Sequence, residues 1–461
     1  MPWPPPFRSL DQPRAVFSWG VYDLANQSFQ LLINTLLFPL FITGVVVTTE
    51  EGGDSVWFMM SASSLGLIVL LSPVLGAVAD QRAWKRELLI ATGLICSLLT
   101  FALGFIQPGQ IALAFALYLT AAVACGLGEN FLGSFLPEIS TPRTVGRVSA
   151  IGWTMSYIGA LALLGITAAF TIAFGRTDPS QMRPLLFFSG IWFGVGMLPA
   201  LFWLREKTTP SPTGAATIIT GAFVRLVASA RETTRYRQLA RFFLAFAVYS
   251  AGTMTMIYGL GVIGDRLGFG LRELILMALV IALTAGASAA VAGRVQDSFG
   301  HVRTISVFLA LWVLASLAMA GAEVFRPPTA EGGAGLATPA TAVYWIVSGM
   351  IGVALGGIGT ASRAIVGAFT PADRAGEFFG LWGMIYKGSG MIGVGLFGFL
   401  GKFAGQPAAL LAVAGLFGLG WLLLLRVDEH AGIRAAEGAP GSGLDSSATV
   451  PAGPSNDPVG E

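Results

Sequence analysis

The chain has 461 residues, of which 54% are hydrophobic and only 11% are charged, and its formal net charge at pH 7 is +2. Ordinary soluble domains contain roughly 25% charged residues, so this chain carries too little charge to cover its surface in water. The composition predicts an integral membrane protein and gives no indication of nucleic-acid binding. Both cysteines lie inside apolar runs, and they predict neither a disulfide framework nor a metal site.

Uncharged apolar runs predict an all-α protein with twelve membrane-spanning helices. Residues 1–14 are rich in proline and lack the core of a signal peptide, so they are predicted to be a disordered tail. The first span begins near Ala15 and carries Asp23 just ahead of its uncharged part. Each run is long enough to cross ~30 Å of hydrocarbon, which needs about 20 residues. The apolar runs are 24–49, 55–79, the two parts of 88–128 on either side of a turn at 107–110, 148–175, 184–204, 242–264, 274–293, 304–322, 342–369, 375–401 and 403–425. All are free of charge except 342–369, which contains Arg363, and 375–401, which contains Glu377 and Lys387.

A polar interruption divides the twelve spans into two halves. Residues 15–205 are predicted to form an N-terminal six-helix bundle and residues 240–426 a C-terminal one, joined by a cytoplasmic linker over 206–239. Within the linker, residues 219, 223, 226 and 230 are apolar at helical spacing, and arginines lie off that stripe. This pattern fits an amphipathic helix on a membrane surface and a solvated linker helix equally well. Residues 427–461 contain few large apolar side chains and are predicted to be a disordered tail.

The distribution of Lys and Arg predicts the orientation. If the N-terminus is cytoplasmic, the segments on that side hold nineteen of the 27 Lys and Arg residues, and the segments on the other side hold six. The remaining two, Arg363 and Lys387, lie inside spans. Cytoplasmic loops retain positive charge. Both termini and the linker are therefore predicted to be cytoplasmic. The predicted location of the protein is the cell (inner) membrane.

The loop after the second span recurs after the eighth span. The first copy reads GAVADQRAWKR and the second GRVQDSFGHVR, and their glycines and aspartates are each separated by 217 residues. The repeat predicts duplicated, pseudo-symmetric six-helix bundles. Its glycine would let helix ends approach closely, and its aspartate would accept hydrogen bonds at a helix N-terminus. Taken singly, each copy also fits an ordinary positive-inside loop. We assign conformational gating to Gly76, Asp80, Lys85, Arg86, Gly293, Asp297, Arg303 and Glu377.

This repeated loop resembles the signature of the major facilitator superfamily, although the first copy lacks the glycine ahead of its basic pair. The resemblance implies two six-helix bundles. Four further stretches resemble the autophagy-associated vacuolar amino-acid effluxer family and its bacterial relatives, which implies a twelve-helix permease that exports amino acids. The stretches are residues 22–26 (YDLAN), 135–139 (FLPEI), Gly152-Trp153 with Tyr157 and Gly159, and Ser362-Arg363 followed by Pro371 and residues 377–380 (EFFG). Ser250-Ala251 and Thr360 depart from the pattern of that family and leave the substrate open.

Four ionisable side chains inside the spans are divided between the bundles by sign. Asp23 and Glu129 belong to the N-terminal half, whereas Arg363 and Lys387 belong to the C-terminal half. A basic side chain at the centre of a span costs about 2.5 to 3.5 kcal/mol, so such a residue is a functional candidate. Glu129 and Arg363 each precede a proline by eight residues, which predicts similar depths in opposite bundles, and Lys387 is predicted at a depth similar to that of Arg363.

These charges, with two neighbouring amides, form the predicted site. The residues assigned to substrate binding or coupling are Asp23, Asn26, Glu129, Asn130, Arg363 and Lys387. We expect Glu129 and Arg363 to interact across the bundles in at least one conformation. The alternatives are that this pair only holds the bundles together, that Asp23 braces helices near the cytoplasmic face, and that Lys387 extends to the membrane surface.

The predicted function is secondary transport by alternating access, with export of small zwitterionic metabolites such as amino acids. The coupling ion is left open, with a proton as the candidate. No cofactor is predicted, and the protein is expected to be a monomer in the lipid bilayer. The alternatives are a transporter-like receptor or scaffold without flux and an exporter of other small molecules. The only histidines, His301 and His430, lie outside the spans and predict no enzyme, and the GxGxxG of residues 259–264 lies in an apolar run, where it indicates helix packing.

Overall fold

The computed structural model describes residues 5–8, 10–48, 52–141, 144–175, 178–207, 221, 224, 227–228, 231–266, 269–324, 339–371 and 375–437. Within these ranges, twelve helices are long and apolar enough to cross a membrane, which confirms the predicted all-α class and number of spans. The first six are α1 (Pro13–Val46), α2 (Gly53–Arg82), α3 (Lys85–Leu103), α4 (Ile111–Ser134), α5 (Val145–Phe174) and α6 (Arg183–Trp203). The second six are α7 (Arg237–Arg266), α8 (Leu271–Phe299), α9 (His301–Val324), α10 (Pro339–Ala368), α11 (Ala375–Ala404) and α12 (Gln406–Leu424).

The two sets of six helices pack in the same pattern. Helix α1 packs against α5 and α6, as α7 packs against α11 and α12. Helix α3 packs against α4 and α6, as α9 packs against α10 and α12, and α2 packs against α4 as α8 packs against α10. The chain therefore forms two pseudo-symmetric six-helix bundles, as the repeated loop predicts. The bundles meet where α2 packs against α11, α5 against α8 and α1 against α7.

The helices end on two faces, which we name by the chain termini. The terminal face is the one where α1 begins and α12 ends, and the other is the opposite face. Near the opposite face, Arg266 of α7 forms a 2.8 Å ion pair with Asp54 of α2, and the Trp57 indole donates a 2.8 Å hydrogen bond to the Tyr258 carbonyl. A Cβ on Gly261 of α7 would lie only 2.9 Å from a backbone oxygen of α1. The bundles are thus closed against each other near the opposite face.

Both predicted disordered tails contain helical segments. At the N-terminus, Pro5–Arg8 form one helical turn with Phe7 buried, and α1 already begins at Pro13. At the C-terminus, residues Glu429–Glu437 form helix α13. The prediction of disorder is wrong for these segments, because short helices docked on the bundles need few large apolar side chains of their own. Residues 438–461 and the four apolar linker positions lie outside the described residues.

Helix α13 is held to the C-terminal bundle by a capping contact. The Glu429 carboxylate accepts hydrogen bonds from the backbone amides of His301 at 2.9 Å and Val302 at 3.0 Å, at the start of α9. The first amides of a helix have no partner within the helix, and the helix dipole favours an anion there. The preceding Gly300 has a φ of +92°, a left-handed conformation that suits glycine. This contact fixes the α8–α9 connection to α13.

Candidate functional site

A cavity of about 270 Å³ lies between the two bundles. The N-terminal bundle supplies its polar wall, which includes Gln27 and Gln30 of α1 and Trp153, Ser156 and Tyr157 of α5. Mainly apolar side chains of α7, α8 and α10 form the other wall. A cavity at the interface of two repeats is where transporters of this kind place their substrate. We take it as part of the candidate site, because Gln30 and Trp153 in its wall contact Glu129 and Arg363, although none of the six predicted site residues lines the cavity itself.

Helix α1 brings its polar side chains to this cavity through unusual local geometry. Residues Ser28–Leu37 are π-helical, and such segments occur frequently at functional sites. Just before this segment, the Gln27 amide donates a 2.7 Å hydrogen bond to the Ser156 hydroxyl of α5. Asp23 lies one turn before Gln27, on the same helix face. Helix α1 thus aims a carboxylate and two glutamine amides at the interface of the bundles.

Glu129 of α4 is held by amides of α1. The Asn26 amide donates to its Oε1 at 3.3 Å, and the Gln30 amide donates to the same oxygen at 2.6 Å. Its other oxygen, Oε2, lies 3.6 Å from the Lys387 ammonium of α11. The carboxylate therefore receives two hydrogen bonds from its own bundle and one ion pair from the partner bundle. The structure thus brings together four of the predicted site residues, Glu129, Asn26, Lys387 and Asn130, the last of which also accepts from Lys387.

Lys387 crosses from the C-terminal bundle to the N-terminal one. Its ammonium donates 3.0 Å hydrogen bonds to the Gly126 carbonyl and to Oδ1 of Asn130. The Asn130 amide in turn donates to the Ser72 hydroxyl of α2 at 2.7 Å. Lys387 lies twelve residues into α11, about 18 Å along the axis, whereas Arg363 lies five residues, about 7.5 Å, from the end of α10. The predicted similar depth of these two cations is therefore wrong.

Arg363 rests on aromatic rings. Its guanidinium carbon lies 4.9 Å from the ring centroid of Trp153 in the N-terminal bundle and 5.8 Å from that of Trp382 in α11. Trp382 stacks in turn on Phe246 and Tyr386, at centroid distances of 5.4 and 6.4 Å. Cations are attracted to the faces of such rings. In this arrangement Glu129 pairs with Lys387, and the expected Glu129–Arg363 contact is not formed among the described residues.

Asp23 and Arg363 belong to opposite bundles and lie close enough for their charges to interact. It lies ten residues into α1, about 15 Å along the axis, so it does not sit at the terminal face. Arg363 is the opposite charge that acts on its carboxylate. Within the described ranges, neither residue forms a hydrogen bond, and no ion pair within 4.0 Å joins them. The site therefore contains an acid and a cation of opposite bundles that share no hydrogen bond or ion pair, and the described contacts of the Arg363 guanidinium are with aromatic rings.

The predicted gating residues of the first loop form a cluster on the terminal face. The Lys85 ammonium lies 2.8 Å from the Glu138 carboxylate and 3.2 Å from that of Asp80. The Arg86 guanidinium donates a 3.0 Å hydrogen bond to the Leu204 carbonyl at the end of α6. All these residues belong to the N-terminal bundle. The cluster joins the ends of α2, α3, α4 and α6 rather than the two bundles.

The glycines of the repeated loop do not have the predicted role. A Cβ on Gly76 would meet no heavy atom within 4 Å, and one on Gly293 would meet only a methyl of Thr360 at 3.9 Å. The prediction that these glycines permit close helix approach is therefore wrong. In the second copy, Arg303 is exposed, the side chain of Asp297 lies outside the described residues, and Glu377 is half-buried in the first turn of α11.

Several site residues escaped the sequence reading. Residues 27, 30 and 34 recur with the predicted Asn26 at helical spacing inside an uncharged run, and that pattern predicts a polar helix face. Glu138 lies in the FLPEI stretch and accepts from Lys85, but its role depends on the distant α2–α3 loop. Trp153 belongs to the Gly152-Trp153 stretch that resembles the effluxer family, but that stretch gave it no role in the site. Trp382 gave no local signal, since an aromatic residue in a span usually packs against lipid or neighbouring helices.

The comparisons with known proteins agree on a transporter. The family described as vacuole effluxer Atg22 like matches residues 42–437. The uncharacterized MFS-type transporter YxiO of Bacillus subtilis is 23% identical over 432 residues, which are 90% of this chain and 94% of YxiO. Autophagy-related protein 22-1 of Penicillium rubens is 27% identical over 315 residues, which are 66% of this chain, and the chain spans about half (52%) of that protein. The solved structure of a D-xylose-proton symporter matches 91% of this chain and 98% of its own chain with a TM-score of 0.67, and at 13% identity this shows the fold alone.

Proposed function

Because the chain belongs to the vacuole effluxer Atg22 like family, we propose that it exports small zwitterionic metabolites, such as amino acids, by alternating access. It is a multi-pass membrane transporter of the major facilitator type, as its twelve spans and its relatives show. The Atg22 relatives are described as vacuole effluxers, and the zwitterionic substrate is our extension to this chain. It rests on the charges of the site rather than on the names of the relatives.

The pair of Asp23 and Arg363 carries this proposal. Charged side chains inside a membrane are costly, and they are usually paired with one another or functional. Lys387 and Glu129 already satisfy each other, but Asp23 and Arg363 do not. A zwitterion supplies the missing partners, because its ammonium can bind Asp23 and its carboxylate can bind Arg363. An arginine fork suits the second role, since it can hold a carboxylate through two parallel hydrogen bonds.

The contacts between the bundles support alternating access. Near the opposite face, the Asp54–Arg266 ion pair and the Gly261 approach hold the bundles together. Arg363 and Trp153 touch across the interface and yet are both exposed, as is Asn130. The arrangement is therefore open from the terminal half and closed at the opposite face. Rocking the bundles about the site would exchange these two openings.

Orientation and coupling complete the proposal. The excess of Lys and Arg supports a cytoplasmic terminal face, so this conformation would face inward, and we propose the cell membrane as its location and a monomer as its working form. A proton is the proposed coupling ion, with Glu129 as its acceptor. Protonation of Glu129 would abolish its ion pair with Lys387 and weaken one bond between the bundles. Bundle movement would then depend on the protonation of this carboxylate.

Counterflow in proteoliposomes tests the proposal. The purified chain is reconstituted with a neutral amino acid inside, and uptake of the labelled amino acid is measured against unlabelled competitors. The competitors are the parent amino acid, its amide, which lacks the carboxylate, and its N-acyl form, which lacks the ammonium. We expect only the parent to compete, and we expect Asp23→Asn and Arg363→Gln to abolish counterflow. Competition by either derivative, or binding of the parent without flux, would contradict the proposed activity.

A further inference from the structure

An apolar groove of about 430 Å³ lies away from the central cavity, between α8 and α9. Val291, Val295 and Phe299 of α8 form one wall, and Val307 of α9 contributes to the other. These four side chains are exposed, with between 44% and 59% of their surface accessible. Residues of one helix at this spacing share a face. The groove thus opens outward from the C-terminal bundle, on the side of the protein that faces lipid.

The groove presents hydrocarbon despite its hydroxyl residues. Thr284 donates to the Val280 carbonyl, Ser288 to the Val353 carbonyl and Thr304 to the Gly300 carbonyl, each at 2.7 Å. Each hydroxyl group therefore donates its hydrogen bond to a backbone oxygen of the protein, and the methyl and methylene groups face the groove. A polar solute would find no free hydroxyl donor there. The lining suits an alkyl chain.

Two arginines lie at the terminal-face end of this groove. Arg294 follows the lining residue Ala287 by seven residues, and Arg303 precedes the lining residue Val307 by four, so each lies at the edge of the lining stripe of its helix. Both are exposed. The described hydrogen bond of Arg294 is a long one of 3.4 Å to the Ala290 carbonyl of its own helix. Both guanidinium groups can therefore donate to an external anion.

We propose that this groove binds one anionic phospholipid, with an acyl chain between α8 and α9 and its phosphate between Arg294 and Arg303. Thr284 and Phe299 at the ends of the lining are fifteen residue steps apart, or about 22 Å along the helix axis, which is enough to cross one leaflet of a hydrocarbon layer ~30 Å thick. Basic residues at this level attract anionic headgroups. The amides at the start of α9 are already occupied by Glu429, so the phosphate is held by the arginine side chains.

Native mass spectrometry of the full chain in detergent tests this site. The protein is mixed with phosphatidylglycerol or phosphatidylcholine that carry the same acyl chains. We expect one phosphatidylglycerol to bind about tenfold more tightly than phosphatidylcholine, because only its headgroup has a net negative charge. The double variant Arg294→Gln/Arg303→Gln should lose this preference, whereas the double variant Arg294→Lys/Arg303→Lys should keep most of it. Equal binding of the two lipids to the wild type would overturn the proposal.

Matched variants separate the groove from general charge and from other occupants. Arg426→Gln/Arg434→Gln makes the same charge change at two exposed arginines elsewhere on the terminal face and should leave the preference intact. Ala287→Phe fills the groove and should displace the lipid, whereas Ala290→Phe changes an exposed alanine of α8 outside the lining and should not. An equal loss in both arginine pairs, lipid retained in Ala287→Phe, or a dimer that Ala287→Phe abolishes would each refute the site. These measurements need no flux and stand apart from the proposed substrate.

Discussion

The Lys387 ammonium on α11 donates a 3.0 Å hydrogen bond to Oδ1 of Asn130 on α4. The same ammonium donates to the Gly126 carbonyl and lies 3.6 Å from the Glu129 carboxylate, so a single side chain contacts three groups of the partner bundle. Any rocking of the bundles that separates α11 from α4 must break these contacts. Lys387 is therefore placed to link the charge of the site to the relative position of the bundles.

A double-mutant cycle on Glu129→Gln and Lys387→Gln should reveal this link. The two side chains are 35% and 17% exposed, so their coupling should be smaller than the ~3 to 5 kcal/mol lost when a fully buried pair is broken. We expect a coupling of about 1 to 2 kcal/mol, within the usual range for residues in contact. Thermal unfolding of the purified variants measures it. A cycle on Glu129 and Arg363 is the control and should be additive in this conformation, and strong coupling there would show that the pairing is different.

Closure near the opposite face should depend on Gly261. A Cβ at this position would lie 2.9 Å from a backbone oxygen of α1, which cannot move aside as a flexible side chain can. Gly261→Ala should therefore separate α1 from α7 and shift the population toward the conformation that is open on the opposite face. Gly286→Ala on α8 is the matched control, because its Cβ would meet nothing within 4 Å. Spin-label distances between α1 and α7 measure the shift, and equal distances in both variants would contradict this role.

In the terminal-face cluster, Lys85 should matter more than Asp80. The side chain of Asp80 is 65% exposed, and exposed ion pairs contribute only about 0.2 to 1 kcal/mol. The side chains of Lys85 and Glu138 are 11% and 12% exposed. Lys85→Met would remove the cation that lies 2.8 Å from the Glu138 carboxylate and should lower the melting temperature well below that of Asp80→Asn. Arg303→Met in the second loop is the control, since that residue is exposed. Equal losses in Lys85→Met and Asp80→Asn would argue against Glu138 as the main partner.

The predicted role of Asp80 in switching between inward and outward conformations needs a separate test. The hypothesis from the sequence is that Asp80→Asn and Asp297→Asn slow flux while substrate affinity stays within a few fold. The exposed position of Asp80 at the end of α2, away from the cavity, is compatible with that expectation. Parallel measurements of counterflow rate and substrate affinity would test it. A large loss of affinity with a normal rate would place Asp80 in substrate binding instead.

Glu206, beyond the end of α6, should make the docking of the linker depend on pH. Burial raises the pKa of this carboxyl above its ordinary value, although Oε2 accepts a 3.4 Å hydrogen bond from the Arg86 amide. A raised pKa means that the folded state binds the proton more tightly. The stability due to Glu206 is therefore complete below its unfolded pKa of about 4.3, and it is lost as pH rises through the folded value. Glu206→Gln should flatten this part of the melting-temperature profile, and an unchanged profile would rule the effect out.

Most of the fold could be predicted from the sequence because a membrane imposes a simple rule on it. Each span must be about 20 residues long and nearly free of charge, so the uncharged runs show all twelve helices directly. The two bundles follow from the repeated GxxxD pattern around Gly76 and Gly293. Helix α13 could not be predicted in this way, because it is held by the Glu429 carboxylate on the amides of His301 and Val302, a contact between distant segments.

The charged residues assigned to the site came from the sequence, but the ion pairs between them could not be predicted from it. The sequence shows which bundle carries Asp23, Glu129, Arg363 and Lys387, because sign and span can be read from it. Which cation approaches which carboxylate depends on helix rotation and side-chain length, and neither is visible in a single sequence. Pseudo-symmetry favours an ion pair of Glu129 with Arg363, but in the structure the long side chain of Lys387 forms the ion pair with Glu129. Arg363 then lies against Trp153, and no sequence motif predicts this contact.

Recognition by Arg363 should depend on its planar shape and not only on its charge. Arg363→Lys keeps the positive charge but loses the flat group that lies over Trp153 and Trp382 and that can grip a carboxylate through two hydrogen bonds. We expect KM for the transported zwitterion to rise about tenfold or more, and kcat to fall less. Counterflow kinetics in proteoliposomes measure both constants. A KM close to that of the wild type would mean that the site recognises charge alone.

Variants of Trp153 distinguish two roles of this residue, which are to position Arg363 and to contact the substrate directly. A cation–π contact contributes about 0.5 to 2 kcal/mol, so Trp153→Leu should raise KM by about two- to thirtyfold, while Trp153→Phe keeps an aromatic face and should raise it less. Because Arg363 would lose the nearer of its two aromatic contacts, we expect the effects of Trp153→Leu and Arg363→Lys to be non-additive in the double variant. Additive effects would show that Trp153 acts on the substrate directly, and an unchanged KM in Trp153→Leu would remove this tryptophan from the site.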